Sequence, residues 1–150
     1  MSKYVFDAEP LVAYLYNEPG SDAVDTIIDE IHAGKATGWL CEVNATEVMY
    51  IVAQLEAKHD PVTDDHLSTG REDVQILASD DVFDIVSVPW PLVAEIKGRG
   101  GISLGDAHAV ALADDRDGTL VVGSDPEFND LPVGVDLFRI REEGTNGRRV

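Results

Sequence analysis

Hydrophobic and polar positions change period several times along the chain, and the changes divide it into short apolar runs and helix-patterned stretches. Tyr4-Val5-Phe6 is a run of strand-forming residues that ends at Asp7. Pro10 suits the first turn of a helix whose apolar side is Leu11, Val12 and Leu15, and Pro19-Gly20 stops it. Ser21 is placed to cap a second helix, with Val24, Ile27, Ile28 and Ile31 at helical spacing and Gly34 as its stop. Residues 37–41 read as a second strand. Asn44 then opens a helix through Val48, Ile51, Val52 and Leu55, ending near His59-Asp60-Pro61. Residues 64–78 predict a polar helix marked on its apolar side by Leu67, Val74 and Leu77.

Alternation over 82–88 predicts a third strand, closed by Pro89-Trp90-Pro91, and a short helix over 92–97 leads into the turn Gly98-Arg99-Gly100-Gly101. The stretch 103–113 is apolar on almost every side from Ala107 onward, His108 apart, so its helix should be buried nearly all round. Ser103 is placed to cap it, and Asp106, three residues on, can complete a box-like cap. Residues 120–122 and 135–140 give a fourth and a fifth strand. Strands alternating with helices predict an α/β fold: three layers, α/β/α, around a central, mainly parallel five-stranded sheet. The pattern contains no repeat or interdomain linker, so one domain over 1–150 is expected, with 142–150 as a flexible tail.

Composition leaves that picture standing and adds a setting. A chain of 150 residues, 44% hydrophobic, has enough apolar material for one core. Its 29 acidic residues against 11 Lys and Arg give a net charge of −18, with the acids spread along the whole chain. An acidic, lysine-poor surface on a packed domain points to the salt-rich cytoplasm of a halophile, where the Debye length at about 1 M salt is only about 3 Å. Under that screening net acidity no longer argues against a nucleic-acid partner. Cys41 is the single cysteine, which excludes an intramolecular disulfide and suggests no thiolate metal cluster. Asp7 interrupts the N-terminal apolar run too early for a signal peptide, and no apolar run reaches the ~18 residues a membrane span needs. A cytoplasmic protein with no membrane partner is expected.

The acids carry the candidate chemistry. Asp7 and Asp125 fall just beyond predicted strands, where ligands bind in an open parallel sheet. Asp106 sits in the first turn of the buried helix, and Glu47 lies one turn into the third helix with Val43 and Ile51 on its own face. Taken alone, Asp106 would only cap its helix and answer the helix dipole. Four acids cannot share a dry crevice unless cations neutralise them, and hard oxygen donors suit Mg²⁺ or Mn²⁺.

Four segments together resemble a known family: Val5-Phe6-Asp7-Ala8, Asn44-Ala45-Thr46-Glu47-Val48, Ser103-Leu104-Gly105-Asp106-Ala107 and Ser124-Asp125-Pro126-Glu127-Phe128. From about Lys3 to Arg141 the chain is similar to PIN-domain ribonucleases, most closely to VapC-type toxins of toxin–antitoxin pairs. The resemblance implies that Asp7, Glu47, Asp106 and Asp125 are catalytic, metal-binding acids of a Mg²⁺- or Mn²⁺-dependent endoribonuclease. It also implies an RNA substrate, a small antitoxin protein as inhibitor, and a homodimer. One position departs from the family pattern: a Thr or Ser usually stands two residues before the last acid, and here that position is Gly123. The neighbouring Ser124 would point the other way on a strand.

Other residues read as structural. His108 is expected at the core or rim, and His32, His59 and His66 lack zinc-ligand spacing. Cys41 reads as a small buried hydrophobe. Glu9 and Asn17-Glu18, in or after the first helix, could reach the crevice, with surface placement favoured. Lys97, Arg99 and Arg116 flank the Asp106 helix, where RNA phosphates or solvent would meet them. A receiver-like signalling domain would need paired acids after the first strand and a Lys after the last, and neither is present. A partner-binding domain of the same fold without activity, and a PIN nuclease of RNA processing rather than a toxin, remain as alternatives.

Overall fold

The computed structural model describes residues 1–142, which alternate strand and helix: β1 (Ser2–Phe6), α1 (Ala8–Leu15), α2 (Ser21–His32), β2 (Ala36–Cys41), α3 (Glu42–Ala57), α4 (Asp64–Ser79), β3 (Asp84–Val86), α5 (Trp90–Arg99), α6 (Leu104–Arg116), β4 (Thr119–Val122) and β5 (Leu137–Arg139). A 3₁₀ turn over Pro126–Asn129 lies between the last two strands. All five strands are parallel, in the order β3-β2-β1-β4-β5. This is the expected α/β architecture. The expected tail lies outside the described residues except for Glu142.

Alternation along the central strands sends side chains to two cores. Phe6, Leu40 and Val121 face a cluster built with α1 to α4, including Leu11, Val24, Ile27, Val48 and Val52. Val5, Cys41, Leu120 and Val122 face the other side, where Val93 and Ile96 of α5 and Ala109, Val110, Leu112 and Ala113 of α6 cover them. Continuous apolar runs such as Leu120-Val121-Val122 are what a strand buried on both faces requires. Helix α6 is buried as its composition predicts, with seven buried residues from Asp106 to Ala113.

Local chemistry shifts several boundaries. The alternating stretch 82–88 pairs only over Asp84–Val86 at the sheet edge, because Val82 and Phe83 turn into the core before the strand begins. Pairing over 135–140 is likewise confined to Leu137–Arg139. Gly20, at φ 96, is the residue before α2, so Ser21 is its first helical residue and its hydroxyl donates to Asn17 instead of capping. Thr63 caps α4 and His66 completes the box, which gives that histidine a structural role. Helix α3 starts at Glu42, two residues before Asn44, and so places Asn44 inside its first turn.

Helices α3 and α4 meet at Gly70, where a Cβ would stand 2.3 Å from the Met49 carbonyl oxygen. Alanine favours an isolated helix over glycine by about 1 kcal/mol. Overpacking against backbone costs more, and Gly70→Ala is expected to destabilise the protein by about 1–3 kcal/mol, measured by denaturant unfolding.

Candidate active site

The chain turns back at the middle of the sheet. From β1 it runs outward to β2 and β3, then returns through α5 and α6 to β4 on the other flank of β1. Such a switch point leaves a crevice beyond the carboxyl ends of the two adjoining strands. Asp7 follows β1 there, its amide donating to Val121 O of β4 at 3.0 Å. It is buried, and it precedes α1 without a side-chain capping bond to that helix. Burial pushes its carboxyl up to about 7 against an amide hydrogen bond from Ala8, and the charges of Glu47, Glu9 and Asp125 push in the same direction.

Glu47 approaches from α3 and is oriented by a neighbour on its own helix. Asn44, fully buried, donates from Nδ2 to Glu47 Oε1 at 2.7 Å and to Gly105 O at 3.1 Å. One amide group thus ties α3 to the first turn of α6. Gly105 permits this approach, since a Cβ there would lie 2.7 Å from both Glu47 carboxylate oxygens. The i, i+3 relation between Asn44 and Glu47 is legible in the sequence.

Asp106 does not complete the cap that its position suggests. Ser103 Oγ accepts from the Asp106 amide at 3.2 Å, but the amide of Ser103 donates to Glu127 Oε2 at 3.3 Å. Glu127, 24 residues away, occupies the place of the reciprocal acid, and the Asp106 carboxyl turns to hydrogen-bond with it. Burial and this hydrogen bond, with the charges of Asp7, Glu127 and Asp125, push Asp106 up to about 9. The same hydrogen bond holds Glu127 below the ordinary glutamate range, so the two carboxyls share a proton that sits on Asp106.

Asp125 precedes the 3₁₀ turn, and its Oδ1 accepts from the Glu127 amide at 2.9 Å. Pro126 in the first position of that turn directs Glu127 back toward the same crevice. Arg139 of β5 donates to the carbonyl oxygens of Gly123 and Asp125 at 3.3 and 3.0 Å, which fixes the backbone leading into the turn. Carboxylate oxygens of Asp106, Asp125 and Glu127 lie within 4.8 Å of one another. Neighbouring oxygen ligands on Mg²⁺ stand about 3 Å apart, so these three hard donors could hold a divalent cation by drawing closer together around it.

The structure therefore brings Asp7, Glu47, Asp106 and Asp125 to one end of the sheet and adds Glu127, which sequence reasoning did not single out. Asn44 and Arg139 were also missed. Glu9 lies at the same end, paired with Arg141, rather than on the open surface. Ser124 is buried, and the space that a side chain at position 123 would need is filled by Glu9. Of the flanking cations, Arg116 stacks over Trp39 at 5.0 Å and serves the fold, whereas Lys97 donates to Ile102 O at 2.6 Å and its charge also helps hold Glu127 low. His108 packs at the rim, its Nδ1 2.8 Å from Leu104 O, and Cys41 is buried as expected, its thiol pushed up by burial.

A family model described as PIN domain matches residues 4–134. Among solved structures, VapBC2 from Rickettsia felis bound to a DNA fragment from their promoter superposes with a TM-score of 0.67 at 17% identity, over 91% of this chain and 98% of that one. PAE2754 from Pyrobaculum aerophilum superposes with a TM-score of 0.57 at 18% identity, over 84% of this chain and 83% of that one. No curated protein sequence matches the chain.

Proposed function

The chain belongs to the PIN-domain family of nucleases, and from that premise we propose that it is a metal-dependent endoribonuclease acting as the toxin of a type II toxin–antitoxin pair. The observation that carries this reading is the convergence of Asp7, Glu47, Asp106, Asp125 and Glu127 at the switch point, with three of their carboxylates close enough to share one cation. Asp106, Asp125 and Glu127 would hold Mg²⁺ or Mn²⁺, with Asp7 and Glu47 completing the negative field around it. The bound metal would supply a water of lowered pKa for attack on a phosphodiester and charge to meet the developing oxyanions.

The chain's own residues do the rest. Asn44 fixes the direction of the Glu47 carboxylate, Arg139 fixes the approach to Asp125, and Ser103 orients both Asp106 and Glu127. Metal binding requires release of the proton shared by Asp106 and Glu127, so occupancy rises with pH. The VapBC2 likeness supports a small antitoxin as partner, and Trp90, 79% exposed near the 58% exposed Leu104, supports a protein partner on the α5–α6 side. Among the described residues, no helix is long and apolar enough to cross a membrane. A homodimer in a salt-rich cytoplasm completes the reading.

Expression with and without the neighbouring open reading frame tests it: growth arrest relieved by that neighbour is expected, and its absence contradicts the toxin assignment. Glu47→Gln keeps the side-chain shape and the Asn44 contact but removes one negative charge. It is expected to lower RNA cleavage at saturating Mg²⁺ at least about tenfold, roughly 1.4 kcal/mol in the barrier. Cleavage at the wild-type rate would remove Glu47 from the site.

A further inference from the structure

Glu9 stands two residues after Asp7 in the first turn of α1, and its carboxylate accepts a hydrogen bond from the Arg141 guanidinium. The Arg141 side chain is only 6% exposed and also donates to Pro19 O at 3.1 Å. Gly123, buried just past β4, lies against the Glu9 carboxylate. A Cβ there would lie 2.2 Å from Glu9 Cδ and Oε2, so the carboxylate occupies the volume that any side chain at 123 needs. The segment from Gly123 to Asp125 is therefore held twice. Arg139 takes its carbonyl oxygens, and Glu9 fills the space against its glycine.

The charges constrain what this pair can be. A guanidinium this buried needs a carboxylate partner, since removing one member leaves an uncompensated charge. Pairing also lets a further acid stand beside Asp7 without adding net charge to an already crowded site. Residues 140–141 are tied in as well: the Ile140 amide donates to Val122 O at 3.0 Å, so the chain leaving β5 bridges β4 and the connection between α1 and α2.

We propose that Glu9, oriented by Arg141 and seated against Gly123, is a positioning residue that fixes Asp125 relative to Asp7. This rests on the metal-site reading above. Its consequence is a steric and electrostatic coupling between positions 9 and 123. Gly123→Ser displaces the Glu9 carboxylate, strands Arg141 near the acids and shifts the segment that carries Asp125. The same substitution made in a Glu9→Ala background enters an empty space.

A double-mutant cycle with Mn²⁺ as the probe, read by calorimetry at pH 8 and fixed KCl, tests this. Gly123→Ser alone is expected to weaken Mn²⁺ binding at least about tenfold and to lower Tm in EDTA, and both losses should shrink to less than about a third in the Glu9→Ala background. Equal losses in both backgrounds, or a Mn²⁺ Kd within about twofold of wild type for Gly123→Ser, overturn the proposal. Should Gly123→Ser fail to fold, Glu9→Gln serves: it keeps the shape, leaves Arg141 unbalanced, and is expected to weaken Mn²⁺ at least about threefold. An unchanged Kd for Glu9→Gln overturns the proposal in that case. A wild-type protein that binds no Mn²⁺ overturns instead the metal reading on which the proposal rests, and intact Mn²⁺ binding without coupling overturns the proposal alone.

Discussion

Asp106→Asn is expected to reduce RNA cleavage at least about a hundredfold, near 2.7 kcal/mol in the barrier, while leaving the metal-free protein at pH 7 as stable as wild type or more so. The two effects separate because the helix cap is not at stake. Ser103 caps α6 through the Asp106 amide, which asparagine retains. At pH 7 the wild-type Asp106 carboxyl holds its proton and bonds to Glu127, and an asparagine amide can donate to Glu127 in the same way. What asparagine cannot do is ionise, so the trio with Asp125 and Glu127 loses a charge when a cation arrives. A cap-and-dipole role predicts otherwise: a loss of roughly 0.3–1 kcal/mol with or without metal, and cleavage intact. Thermal unfolding in EDTA and in millimolar Mg²⁺, together with a cleavage assay, distinguishes the two.

Stability itself should respond to pH with the opposite sign to that conferred by a carboxylate held in an ion pair. Asp7, raised to about 7, and Asp106, raised to about 9, bind protons in the native state that the unfolded chain releases near pH 4. Stability therefore falls as pH climbs from about 4 through those raised values. Glu127 is shifted the other way, but its contribution is complete once the pH exceeds the ordinary glutamate value. In EDTA at fixed high KCl, Tm at pH 8 is expected to lie several degrees below Tm at pH 5, since 1 kcal/mol is about 2–4 °C for a chain of this size. Millimolar Mg²⁺ should recover most of the loss at pH 8 and little at pH 5, where protons already neutralise the site. A Tm that stays level or rises between pH 5 and pH 8 without metal would mean that the acids do not crowd one another.

Most of this architecture is written in local patterns. The apolar runs at Tyr4-Val5-Phe6 and Leu120-Val121-Val122 announce strands buried on both faces, and the acids beyond them fall where a parallel sheet opens. Edge strands are less legible, because β3 exposes Asp84 and Ile85 and its flanking apolar residues serve the core instead. Within the site, Asp7, Glu47, Asp106 and Asp125 could be placed because each is fixed by its own element. Glu127 could not, since its role arises from a hydrogen bond to Ser103 across 24 residues, and Asp106 offered a local rival for the same place. Glu9 was hidden for a related reason: its partners, Arg141 and Gly123, are distant in sequence, and an unpaired glutamate in a first helical turn reads as solvated. Asn44 is the exception, a local pair with Glu47 whose spacing was in view.

A metal-dependent nuclease site in the acidic crevice is tested most directly by the rate of RNA cleavage by the purified protein as Mg²⁺ is titrated from EDTA into the millimolar range at fixed KCl and pH 8. The expected result is no cleavage in EDTA and a saturable rise with Mg²⁺. A rate that is the same in EDTA as in millimolar Mg²⁺ would contradict it.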